Sequence, residues 1–136
     1  MAQIVASLKV IMGRDGSTRG QDKIQQLKDN SNWFRRQLVD MGLEVLGDDD
    51  SPIMPFMIYQ PSKIPGVSRR CLAKGLGVVV VGFPATPLLL SRARICISAA
   101  HTREDLEYAV RRIREMVQET MIGYGAAGRK GLAAKP

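Results

Sequence analysis

The chain has 136 residues, 45% of them hydrophobic, and a formal charge of +7 from 20 basic and 13 acidic side chains. That length suits one domain with a real core, because a chain of this size hides roughly two-thirds of its unfolded surface. No apolar run approaches the ~18 residues that cross a bilayer, and two cysteines with one histidine, none at ligand spacing, exclude a metal set.

The N-terminal MAQIVASLKVIMGRDG has no basic region ahead of its apolar stretch and no small-residue cleavage site, so it does not read as a secretory signal. Residues 3–12 read as the end of a helix that stops around Gly13 to Gly16. A second helix is predicted from Thr18 to Met41, with Ile24, Leu27, Ser31, Phe34, Leu38 and Met41 on one face and Gly42 as a left-handed cap. Leu43 to Leu46 is a short strand candidate, followed by a turn at residues 47–50. Ile53 to Tyr59 is β-rich, but Pro55 cannot donate to a ladder, so this strand starts at an edge or runs along one.

Gln60 to Pro65 reads as a loop, and Val67 to Lys74 as a short helix ended by Gly75. Gly77 to Val81 has the branched residues of a buried strand. Arg92 to Ser98 alternates basic or polar with apolar side chains, as a half-exposed strand does. Cys96 inside it reads as a small core residue, and both Cys71 and Cys96 as reduced thiols of a cytosol-facing protein. The last helix opens at Thr102, with Asp105 placed for a capping box and Leu106, Ala109, Val110, Ile113, Val117 and Met121 as its apolar stripe.

Residues 123–136 are Gly- and Ala-rich, carry three of the seven net positive charges, and read as a disordered basic tail. The predicted fold class is therefore α+β, a small, mostly antiparallel sheet with helices on one face. The remaining +4 suits anionic ligands such as a phosphate or a coenzyme A thioester, and equally a solvated basic surface.

Val78 to His101 carries the chemistry. Two strands joined by the stiff loop Pro84-Ala85-Thr86-Pro87, with Arg92 and Arg94 on the return strand, make a place to hold a carboxylate. A planar guanidinium grips a carboxylate through two parallel hydrogen bonds and fixes its orientation. Spacing alone leaves Arg94 either a ligand contact or a surface strand arginine. Arg92, on the same face, is solvated or pairs with an acid such as Glu104. His101 precedes a helix cap and reads as structural rather than as an acid or base. Trp33 and Phe34 read as helix-packing residues, while Leu88 to Leu90 face an acyl chain, face a partner, or cap the core.

The segments IMGRDGSTRGQDKIQQL, NWFRRQLVDMGLEV, DDDSPIMPFMIY and LGVVVVGFPATP followed by SRARICISAAHT resemble, in order, the pyridoxal-phosphate α-oxoamine synthases. Within that family they are most similar to the cofactor-bearing long-chain-base subunit 2 of the serine palmitoyltransferases. The resemblance covers roughly residues 3–122. It implies the small C-terminal domain of a fold-type I aminotransferase at 18–122, preceded by the end of an interdomain connecting helix and a turn at 1–17.

It further implies pyridoxal 5'-phosphate held by an upstream large domain that supplies the Schiff-base lysine. No catalytic or cofactor-binding residue is then expected here; Lys9, Lys23, Lys28, Lys63 and Lys74 are not candidates, and the chain alone is expected to be inactive. Arg94 matches the arginine that pairs with the amino-acid carboxylate. Pro84, Ala85, Thr86 and Pro87 match a mobile loop at the mouth of the site. Bacterial relatives carry a second carboxylate-binding arginine where this chain has Gly82.

The implied reaction is decarboxylative condensation of L-serine with palmitoyl-CoA to 3-ketodihydrosphingosine. A sister subunit 1 is the implied partner, and the cytosolic face of the endoplasmic reticulum the implied location, with no membrane insertion by this chain. Condensation of glycine with another acyl-CoA is the alternative within the family. A free small-molecule or RNA-binding module is the alternative outside it, disfavoured by only 5% aromatics.

Overall fold

The computed structural model describes residues 2–125. Helix α1 (Ala2–Ile11) buries none of its residues and turns through Gly13 and Gly16, both at positive φ, into α2 (Arg19–Asp40). The two helices touch backbone to backbone at Gly20, where an added Cβ would stand 2.6 Å from the Ile11 Cα. Strand β1 (Ile53–Tyr59) follows, then a 3-10 turn (Pro61–Lys63), α3 (Ile64–Ala73), β2 (Val79–Val81), β3 (Ser91–Cys96) and α4 (Arg103–Thr120).

The sheet has three antiparallel strands in the order β1-β3-β2, so both β1 and β2 are edges. Register fixes which side chains share a face, because directly opposed residues point the same way. Met54 faces Ile95, and Phe56 and Val80 both face Ala93. These residues, with Ile97, form the floor of the core. Phe34 and Leu38 of α2, Val67 and Cys71 of α3, and Leu106, Val110, Ile113, Met116 and Val117 of α4 close over it. Helices therefore cover one face of the sheet, as the sequence predicts.

Local chemistry places the ends. Thr102 and Asp105 complete the capping box of α4 in both directions, at 3.2 Å from the Asp105 amide to the Thr102 hydroxyl and 2.9 Å from the Thr102 amide to the Asp105 carboxylate. Pro65 sits in the first turn of α3, where its missing N–H is not needed, so this helix begins at Ile64 rather than at Val67. Thr18 does precede α2, but its side chain makes no cap hydrogen bond.

Several expectations are overturned. Leu43 to Leu46 is not a strand; it makes one bridge, Val45 to Phe56, with the Leu46 amide donating to the Pro55 carbonyl. The valine run is not a buried strand. Being an edge, β2 packs only one side, and Val79 is 50% exposed. Cys96 is exposed, because alternation along β3 sends it to the face opposite Ala93 and Ile95, whereas Cys71 of α3 is the buried thiol.

Ile24 is exposed, since its end of α2 runs past the sheet. Met121 is the left-handed C-cap of α4 and points outward, and Ile122 takes the core position instead. Of the predicted tail, Gly123 to Gly125 are ordered against the body: the Gly125 amide donates to the Gly42 carbonyl at 2.7 Å, and the Tyr124 ring stands edge-on to Tyr59. Residues 126–136 lie outside the described residues.

Candidate functional site

Two of the arginines that the sequence singles out share the face of the sheet away from the helices. Arg94 stands on it between Pro55 of β1 and Val79 of β2, and Arg92 between Met57 and Val81. Ile53 and Cys96 complete it at one end. Its strand positions carry no acid. Arg94 is exposed and Arg92 half-buried, and neither guanidinium has a hydrogen bond or ion pair among the described residues. Of the two readings of Arg92, solvated or paired with an acid such as Glu104, the pairing is not made among the described residues.

The two arginines are two residues apart on one strand, so their Cα atoms are about 6.6 Å apart. Two like charges so placed, with apolar neighbours on both flanks, repel each other until an anion arrives. Guanidiniums without a partner can donate hydrogen bonds to an anion such as a carboxylate or a phosphate.

The loop between β2 and β3 splits in character. Pro84, Ala85 and Pro87 are exposed, as are Phe83 and Leu88 to Leu90. Thr86 is the inward residue, only 4% exposed, with its amide donating to the Gly82 carbonyl at 3.2 Å. Its buried hydroxyl oxygen has no partner. The Phe83–Pro84 peptide is cis. Gly82 leaves no room for a side chain, since an added Cβ would lie 2.5 Å from Ile64 Cδ1. A larger residue there requires Ile64 to move.

The remaining candidates have structural partners. His101 Nδ1 accepts from the Ser98 amide at 3.2 Å, and its carbonyl accepts from Asn30 of α2 at 3.1 Å, so it ties the turn before α4 to α2. Hydrogen bonds from the Thr102 backbone and hydroxyl, helped by the nearby His101, hold the Asp105 carboxyl below its ordinary range. Trp33 is packed: the Arg103 guanidinium lies 3.5 Å over its ring.

Lys63 donates to the Met121 carbonyl at 2.9 Å and to Tyr124, capping α4. Lys74 pairs with Glu115 at 2.7 Å and Glu119 at 3.3 Å, joining α3 to α4. Lys28 pairs with Asp50, and Lys23 reaches the Ala99 carbonyl. These lysines serve surface contacts, so the described residues do not by themselves fit a lysine-bound cofactor.

One buried charge was missed. Arg35 of α2 is 8% exposed and donates from Nη1 to the Leu46 and Gly47 carbonyls, both at 3.1 Å. It stands one turn after Ser31 and one before Leu38, on the buried stripe, which was the available signal. It braces the turn that places β1.

Hollows also open elsewhere on the described residues. One of about 450 Å³ sits between Leu76–Val78, Cys96–Ile97 and the start of α4. Its polar groups are engaged internally: Tyr108 donates to the Lys74 carbonyl, and Asp105 caps its own helix. Another, about 640 Å³ and strongly apolar, lies between α1 and α2.

The sheet with helices on one face is that of the aminotransferases, and residues 3–113 match the family model described as aminotransferase class I and II. The chain belongs to that family. It is 58% identical over 128 residues to long chain base biosynthesis protein 2b of Arabidopsis thaliana, covering 94% of this chain and 26% of that protein. It is 52% identical to serine palmitoyltransferase 2 of Dictyostelium discoideum, covering 84% of this chain and 23% of the other.

A solved Sphingomonas wittichii serine palmitoyltransferase superposes with a TM-score of 0.72 at 24% identity, over 76% of this chain and 26% of that one. A structure of SPT with PLP gives the same TM-score at 22% identity, with the same coverage. These last two speak for the fold alone. The chain spans about a quarter of the length of the relatives it matches. Among its described residues no helix is long and apolar enough to cross a membrane.

Proposed function

We propose that this chain supplies the small domain of a serine palmitoyltransferase, as residues 18–122 of it, with α1 as the end of a connecting helix. The parent enzyme would condense L-serine with palmitoyl-CoA, releasing CO2 and coenzyme A. Pyridoxal phosphate, held elsewhere in that protein, supplies the electron sink for bond breaking at the amino-acid Cα.

The observation that carries the reading is Arg94, an unpartnered guanidinium on the open sheet face, at its place in GFPATP…SRAR. Arg94 holds the carboxylate of the amino acid and so sets which Cα bond stands perpendicular to the cofactor plane. The loop Pro84-Ala85-Thr86-Pro87 borders that site. Its two prolines narrow the backbone states from which the loop closes. Arg94 is flanked by the uncharged Pro55 and Val79, so no neighbouring strand position offers an acid to compete for the guanidinium. The parent works with a sister subunit at the endoplasmic reticulum. The open face has no aromatic side chain at its strand positions, so it makes no stacking platform for RNA.

A chimera tests this. Residues of this chain replace the matching 128-residue span of the Arabidopsis relative, co-produced with the sister subunit. The expected result is condensation of L-serine with palmitoyl-CoA that falls on Arg94→Ala. A folded chimera that prefers glycine with a short acyl-CoA moves the assignment to another synthase. A folded chimera with neither activity overturns it.

A further inference from the structure

We propose that Arg92 is a second anion-contact residue, holding an oxyanion of the reactants between Arg94 and the β2–β3 loop. The inference rests on the reading of the open face as a substrate surface, and names a determinant that reading does not contain.

Three observations carry it. First, the register of β3 against both neighbours sets Arg92 on the face of Arg94, at the end nearer the loop, opposite Val81 and Met57. Second, this end is the more enclosed. Val79 is half exposed beside Arg94, whereas Met57 beside Arg92 is 3% exposed and Arg92 itself is half-buried. A guanidinium drawn partly out of water with no acid to pair it is costly, and an anion removes that cost.

Third, the β2–β3 loop that begins at this end holds a spare hydroxyl. The Thr86 amide is tied to the Gly82 carbonyl, one residue beyond the Val81–Arg92 pair, and Thr86 Oγ1 is buried without a partner among the described residues. An unpartnered cation at the loop end of the face, followed by a loop with an unpartnered hydroxyl, suits an oxyanion.

The oxyanion has two sources, the amino-acid carboxylate or a phosphate of the acyl thioester, and kinetics separates them. In the chimera, Arg92→Ala is expected to raise one KM by about tenfold or more, the loss of one charge-assisted hydrogen bond, with kcat within twofold. A rise in the KM for L-serine assigns the carboxylate, and a rise in the KM for palmitoyl-CoA assigns the phosphate. Arg92→Lys, which keeps the charge, recovers more of a phosphate contact than of a bidentate carboxylate contact.

A merely structural arginine would lower the amount of folded enzyme and leave both KM values in place. Both KM values within twofold, in a folded variant, overturn the proposal. If the unsubstituted chimera is inactive, the proposed function fails separately. Sodium phosphate and sodium acetate titrated into the 136-residue chain then decide. Saturable shifts of the Arg92 side-chain NMR signal, lost in Arg92→Ala, support the contact. No shift with either anion at low ionic strength overturns it.

Discussion

The two faces of the small sheet are built from alternate residues of one strand, yet they follow opposite rules. On the helix side Ala93, Ile95 and Ile97 of β3 and its end meet Met54 and Phe56 and are sealed by three helices. On the other side Arg92, Arg94 and Cys96 meet Ile53, Pro55, Met57, Val79 and Val81, and the arginines have no partner among the described residues. Burial fixes the first set, while the second, apart from the buried Met57, is half-buried or exposed. A one-residue slip of β3 would exchange them and bury two guanidiniums, so the apolar face also pins the arginine face.

The comparison breaks most sharply where a core residue is removed. Phe56→Ala takes a fully buried ring from the middle of β1, and about 3–5 kcal/mol of stability is expected to go with it. That is a large share of a typical domain's 5–15 kcal/mol, so urea unfolding should show a marginal or unfolded chain. Next is Arg94→Ala, with the opposite signature. The unfolding midpoint should hold to within about 0.5 kcal/mol, as for an exposed side chain. The kcat/KM of the chimera with L-serine should fall by about 30- to 100-fold, the worth of about 2–3 kcal/mol of charged hydrogen bonding. Equal loss of stability in both variants would erase the distinction between the faces.

Much of this division is legible in the sequence. The alternation of SRARIC, the capping box before α4 and the apolar stripe of α2 around Phe34 and Leu38 all place their residues as built. Pro55 marks β1 as an edge strand, as found, but nothing in the sequence marks the valine run as the other edge. A run of four valines looks buried until pairing leaves β2 with a single neighbour, β3. Cys96 looks like core for the same reason, because its apolar neighbours in sequence lie on the other side of the strand. The buried Arg35 escapes notice because its partners, the Leu46 and Gly47 carbonyls, are backbone groups of a turn. Arg94 stands out by its motif, and the lack of any acid nearby emerges only from the register.

A smaller effect sharpens the covered side. Thr102→Ala removes the hydroxyl that accepts from the Asp105 amide, and about 1 kcal/mol of stability should be lost. The same cap has a pH signature. Asp105 is held below its ordinary 3.8 chiefly by the Thr102 backbone N–H and then by the Thr102 hydroxyl. A lowered carboxylate stabilises the fold fully above that ordinary value and ceases to as pH falls below it. Unfolding midpoints followed from pH 6 down to pH 2 should therefore show a shallower acid decline in Asp105→Asn than in the unaltered chain. An unchanged slope would mean that the cap is not formed in solution.

The smallest effect probes both faces at once, through the two thiols. Cys71 lies buried under α4, and burial pushes its thiol pKa up, partly offset by Lys74. Cys96 is exposed on the arginine face. Attack on a thiol reagent needs both access and thiolate, so native protein at pH 7.5 should react quickly at one cysteine only. Cys96→Ala should abolish that fast reaction while shifting stability by no more than about 0.5 kcal/mol. Cys71 should then react only as fast as the chain opens. Fast labelling of both thiols would mean that the helix layer does not stay closed over the sheet. Slow labelling of Cys96 would mean that the strand faces are reversed, and Arg94 with them.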